Sequence, residues 1–254
     1  MVKRSSIILQ VIFWISPIFY WAVWQIIQAN PELLWTLAPA SFVLLIPVAY
    51  EAAAETRSWR FFYILLGLVL TIVSFFLFIS FLPGAWKAEI LWLLMIAFLY
   101  RYLWSARKAS RGGPPEDWML VSLYGGLLTV FLAASSLFAL QSFLSISPWL
   151  LLASFIPFVV AITRLIAYSQ GWNRKQDKWV WPLISILPLE IAMAFSLLPL
   201  NYLIAGILCT LAYYSMLNFL RLYMNGGLTR RKIKNYAWFT AVSLIIILLT
   251  ARWL

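Results

Sequence analysis

Apolar runs long enough to cross a bilayer recur along this chain, and the links between them alternate between two kinds. Crossing about 30 Å of hydrocarbon takes roughly 20 apolar residues in a helix. Nine runs reach or approach that length: 7–29, 33–50, 61–82, 87–104, 118–143, 148–168, 179–198, 201–223 and 236–253. After the first, third, fifth and seventh runs the links are short and nearly uncharged, at Asn30-Pro31-Glu32, Pro83-Gly84, Ser145 to Pro148 and Pro199 to Asn201. After the second, fourth, sixth and eighth they are basic. These hold Arg57 and Arg60; Arg107, Lys108 and Arg111; Arg174, Lys175 and Lys178; and Arg230, Arg231, Lys232 and Lys234.

With Lys3, Arg4 and the span-end Arg101, Arg164 and Arg221 added, all of the 19 basic residues except Lys87 and Arg252 fall on one side. One missed crossing would scramble that pattern. Positive residues stay cytoplasmic. The expectation is therefore an all-α, polytopic transmembrane helical bundle of about nine spanning helices, with the N-terminus cytoplasmic and the C-terminus outside. It forms a single integral membrane domain over 1–254 in the cell (plasma) membrane. The start, Met1-Val2-Lys3-Arg4 before an apolar run, has the look of a signal peptide. The run is too long for one and no small-residue cleavage site follows, so it reads as a retained first span.

Composition agrees. Hydrophobic residues make up 64% of the chain and charged residues 11%, against about 45–50% and about 25% in soluble domains. No polar stretch is long enough to fold as a separate soluble domain. A net charge of +11 would suggest nucleic acid in a soluble protein. Here the basic links orient helices and attract anionic lipid headgroups, so the expected partners are the lipid bilayer and those headgroups, with no nucleic acid.

Four tryptophans, Trp59, Trp118, Trp179 and Trp238, recur near the basic start of an outbound run, each shortly after Ser58, Asp117, Asp177 or Asn235. Such side chains cap helix starts. Inbound runs end with an arginine among aromatics at Tyr100-Arg101-Tyr102, Arg164 to Tyr168 and Arg221-Leu222-Tyr223. One reading is a four-fold repeat of a two-helix hairpin, closed by a ninth helix. The other is that every membrane hairpin places aromatics and basic residues at its inner end.

The candidate site centres on Glu190, the one carboxylate deep inside an apolar run, in a span that also carries Pro182 and Pro188. Intramembrane charge is costly and marks function by default. Pro188 cannot donate to the Ile184 carbonyl, and a kink beside a buried carboxylate can open a polar pocket. Two polar faces flank it by helical spacing: Thr210, Tyr214, Asn218 and Arg221, and Ser154, Pro157, Ala161, Arg164 and Tyr168. If those faces meet, Glu190 roofs a wedge open to the cytoplasm. Arg164 and Arg221 would hold an anionic group, and Tyr214 and Asn218 would orient it. Read structurally instead, Glu190 is a neutral packing acid and the arginines snorkel into headgroups. The small-residue stripes, Ser122, Gly126, Thr129, Ala133 and Ser136 with Gly67, Thr71 and Ser74, are packing faces. Gly112-Gly113 and Gly226-Gly227 are helix ends.

Several chemistries are excluded by residue type. The chain has no histidine, which removes His-ligated metals and His-based acid–base work. Its only aspartates, Asp117 and Asp177, lie in basic links, so no paired-aspartate magnesium site for diphosphate chemistry is present. The single Cys209 can form no internal disulfide. No catalytic residue, metal or cofactor is expected. The function expected is a permease-like or lipid- or anionic-solute-binding protein with a cytoplasm-facing cavity in spans six to eight. The alternative is a non-catalytic structural or accessory subunit of a larger membrane complex, docked to a protein partner.

Overall fold

The computed structural model describes residues 2–53, 59–83, 85–113, 115–172, 188, 190–224, 227 and 229–250. Its elements run α1 (Val2–Ala29), a 3-10 turn (Pro31–Leu33), α2 (Leu34–Ala52), α3 (Trp59–Ser80), α4 (Ala85–Ser110), α5 (Pro115–Leu144), α6 (Pro148–Ser169), a helical segment at 190–196 (α7), α8 (Tyr202–Met224) and α9 (Arg230–Thr250). Helices are what lipid as solvent demands, because each bonds its own backbone groups. Seven of them are long and apolar enough to cross a membrane, and α2 adds a shorter apolar stretch, Phe42–Ala52. The first half of the run expected at 179–198 lies outside the described residues.

Glycine and proline set the helix ends. Proline opens α5 and α6, where its missing N–H costs nothing. Three helices, α4, α6 and α8, close alike: the amides of Gly113, Trp172 and Gly227 donate to the carbonyls five residues back, Lys108, Ala167 and Leu222. Gly112 and Gly171 take the left-handed conformation this cap needs, at φ 84 and 69. The four tryptophans are not equivalent. Trp59 and Trp238 are exposed, Trp118 is buried, and Trp179 lies outside the described residues. The expected caps also differ. Asp117 sits within the first turn of α5 and Asn235 well inside α9; Ser58 and Asp177 are not described.

The chain divides into two compact units, Met1–Val73 with Leu82–Gly125, and Ser74–Phe81 with Gly126–Leu254. In the first, α1 packs on α2 and both pack on α4. Pro17 interrupts α1 and leaves the Phe13 carbonyl without its helical donor; Ser16 Oγ donates to that oxygen at 3.0 Å. Trp24 and Trp92 stack at 5.7 Å.

In the second unit the small residues act as packing faces. Ser136 is buried and donates to the Leu132 carbonyl of its own helix. A Cβ at Gly206 would lie 1.9 Å from Ser135 Oγ, so only glycine lets α8 approach α5 this closely. Thr163 and Tyr213 share a buried hydrogen bond of 2.9 Å between α6 and α8.

Candidate functional site

Of the five residues singled out from the sequence, Glu190, Arg164 and Arg221 are exposed and Tyr214 and Asn218 are half-buried. Glu190 is exposed in α7. Ser154, Pro157, Arg164 and Tyr168 are likewise exposed along α6. The reason is that α6 buries the neighbouring stripe of Phe155, Val159, Ile162 and Ile166, and a helix presents only one face inward. On α8, Thr210, Tyr214 and Asn218 are half-buried and Arg221 is exposed. Asn218 Nδ2 donates to the Tyr214 carbonyl of its own helix at 3.0 Å. Helices α6 and α8 do meet, through Thr163 and Tyr213, each one residue away from Arg164 and Tyr214.

The charged centre lies in the first unit instead, where the basic end of α4 meets the end of α2. Glu51 is 1% exposed. Its Oε1 accepts from Arg107 Nη2 at 2.8 Å and from Arg111 Nη2 at 3.3 Å. Alanines at 49, 52 and 53, all fully buried, surround the carboxylate with small side chains and let its backbone sit deep. The Arg107 guanidinium stands 5.3 Å over the Phe13 ring, within reach of a cation–π attraction. Burying a carboxylate and a guanidinium is tolerated only with pairing of this kind.

Helix capping places these groups. The apolar run ends near 104, yet α4 continues to Ser110, because the glycine pair at 112–113 stops it rather than the loss of hydrophobicity. Arg107 and Lys108 thus fall in its last turn, where cations suit the dipole. Arg60 Nη1 adds a bond to the Ala109 carbonyl at 3.3 Å, satisfying one of the oxygens orphaned at the helix end. Asp117, in the first turn of α5, pairs with Arg101 at 3.5 Å and Lys108 at 3.3 Å. Four cations therefore share two carboxylates, Arg60 stands beside them on a carbonyl, and the cluster keeps a positive excess.

Beside it, Trp104, Arg107, Lys108, Arg111 and Gly113 line a cavity of about 330 Å³, at the lower end of the range that holds small ligands. Arg107 Nε is buried and has no hydrogen-bond partner among the described residues. An unpaired donor of this kind calls for a partner. A guanidinium, a second half-exposed guanidinium and an ammonium on one wall suit a group with several acceptor oxygens and negative charge. The hollow in the second unit, lined by Phe138, Gln141, Leu152 and Ser196 among others, is only about 20 Å³, room for little more than a water. Among the described residues no His, Cys, Asp and Glu group could hold a metal.

The sequence reading overlooked Glu51 because it stands just past the apolar run rather than inside it. The available signal was its company: an acid among alanines, next to a basic link. Long apolar helices around such a centre are compatible with a multi-pass membrane protein. Comparison with family models, curated proteins and solved structures returned no match.

Proposed function

We propose that this chain is a non-catalytic, multi-pass plasma-membrane protein of permease-like or lipid- and anionic-solute-binding type. Its anion site is the basic cavity at the end of α4 rather than a wedge between spans six and eight. The observation that carries this reading is Arg107, buried against Glu51 with its Nε unpaired beside that cavity. The reading retains nine crossings, a cytoplasmic N-terminus and an outside C-terminus, supported by the alternation of basic and uncharged links. It also puts the cavity on the cytoplasmic side.

The test is a thermal-stability screen of the purified full chain against soluble anions and anionic lipids. At least one anion should raise the transition temperature, and Arg111→Gln should abolish the rise. If no anion shifts the wild type, the reading fails.

A second reading is favoured by α9, none of whose residues is buried. Such a helix fits an accessory subunit whose ninth span packs on a partner. Purification in mild detergent with a stoichiometric companion would favour it.

A further inference from the structure

Resting on the anion-site reading, we infer that the group bound in the α4 cavity is the phosphate of a membrane phospholipid whose acyl chains lie along α4. Three observations converge. The first is the donor set. Arg107 offers a buried, unpartnered Nε. Lys108 and Arg111 are 43% and 52% exposed, so their present pairings with Asp117 and Glu51 are open to solvent and weak. Phosphate has the charge and oxygen count to engage the two exposed cations, with the Arg107 guanidinium adding its charge to the same wall.

The second is the surface leading to the cavity. Ile90, Leu93, Leu94 and Trp104 are exposed on α4. The spacing of 90, 94, 97, 101, 104, 108 and 111 keeps one face of the helix in line, with Arg101, paired to Asp117, between the apolar positions and the two outer cations. From Leu94 to Lys108 the helix rises about 21 Å, more than the roughly 15 Å of one hydrocarbon leaflet. A lipid chain can therefore lie along it while the phosphate reaches the cations.

The third is the aromatic ledge beside the cavity. Trp104 packs against Trp14 at 5.6 Å, and Trp14 against Tyr100 at 5.9 Å. Tyr100 donates its hydroxyl to the Trp14 carbonyl. Amphipathic rings of this kind settle at headgroup depth. They put the cavity at the level of lipid phosphates rather than out in the aqueous phase, which favours a lipid over a free solute.

The experiment is native mass spectrometry of the full chain, released from nanodiscs of phosphatidylglycerol and phosphatidylcholine, with inorganic phosphate as a separate probe. One phosphatidylglycerol should survive detergent exchange on the wild type. Lys108→Gln and Arg111→Gln, each removing a half-exposed cation, should lower its occupancy about tenfold, the effect of losing one charge-assisted hydrogen bond. Arg231→Gln, an exposed cation on α9, should leave it unchanged. Equal loss in Arg231→Gln, or no loss in the two site variants, overturns the site. Displacement of the lipid by millimolar inorganic phosphate overturns the lipid source. A soluble anion that binds while no phospholipid is retained sinks this inference but leaves the anion site standing; the absence of any anion binding sinks both. Should Arg111→Gln fail to fold, Lys108→Gln carries the test alone.

Discussion

Two carboxylates of this protein sit in apolar surroundings and meet opposite fates. Glu51 is almost wholly buried and is met by two guanidinium groups. Glu190 is exposed and makes no ion pair among the described residues. The difference lies in the company each keeps. Glu51 stands at a helix end where α4 delivers cations one helical turn apart, and alanines leave room for them. Glu190 lies in a helical segment whose described buried residues are Pro188, Ala192 and Phe195, which offer a charge nothing. A carboxylate goes inside where partners already wait, and depth along an apolar run is a poor guide to that.

The largest effect should come from removing Glu51. Glu51→Ala strands the buried Arg107 guanidinium, and breaking a buried pair by deleting one partner costs about 3–5 kcal/mol. Equilibrium unfolding of the purified chain should show this loss. Restoring Arg107→Leu on the Glu51→Ala background should recover much of it, because the two together leave no uncompensated charge. If Glu51→Ala is harmless, the pair is not the buried anchor of the first unit and the contrast with Glu190 disappears.

The second unit holds its interior together differently, and that difference gives the next prediction. Its described buried polar groups are neutral hydroxyls, and close approach depends on small side chains. Gly206→Val would drive new carbon into Ser135, whose Cα and Cβ already lie 3.1 and 3.0 Å from a Cβ at that position. Overpacking of this kind costs about 1–3 kcal/mol. Ser135→Gly should rescue part of it in a double-mutant cycle. Added salt should leave this coupling untouched and weaken only the exposed Arg111 arm of the Glu51 cluster. A salt-sensitive Gly206 effect would mean that charge, not fit, governs both units.

Much of this was legible in the residues themselves, for identifiable reasons. Helix positions follow from hydrophobic length, so α3, α5, α6 and α8 match their runs to within a few residues, while α9 starts six residues ahead of its run; the glycine pair at 112–113 marks a helix end as its chemistry requires. Where α4 ends was less legible, since a cap overrode the fading of hydrophobicity. Which face of a helix turns inward was the least legible part. Helical spacing groups Ser154, Arg164 and Tyr168 on one stripe, but the denser apolar stripe of Phe155, Val159 and Ile162 competes for the same interior and wins. Glu51 became visible only when α2 and α4 were brought side by side, because its partners are 56 and 60 residues away in sequence.

The smallest effect should be the one the sequence alone would rank first. Glu190→Gln keeps the shape and hydrogen-bonding reach of the side chain while removing its charge. On an exposed helix face with no described ion partner, such a change alters stability by no more than about 0.5 kcal/mol. It should also leave the anion-induced rise in transition temperature intact, because that rise depends on α4. Measured beside Glu51→Ala, it isolates burial from mere location in an apolar segment: both variants delete one carboxylate charge, and only one deletes a charge with partners. If Glu190→Gln unfolds the chain or abolishes anion binding, the exposed face of α7 is occupied in the working protein, and the charge there answers to a group outside the fold described.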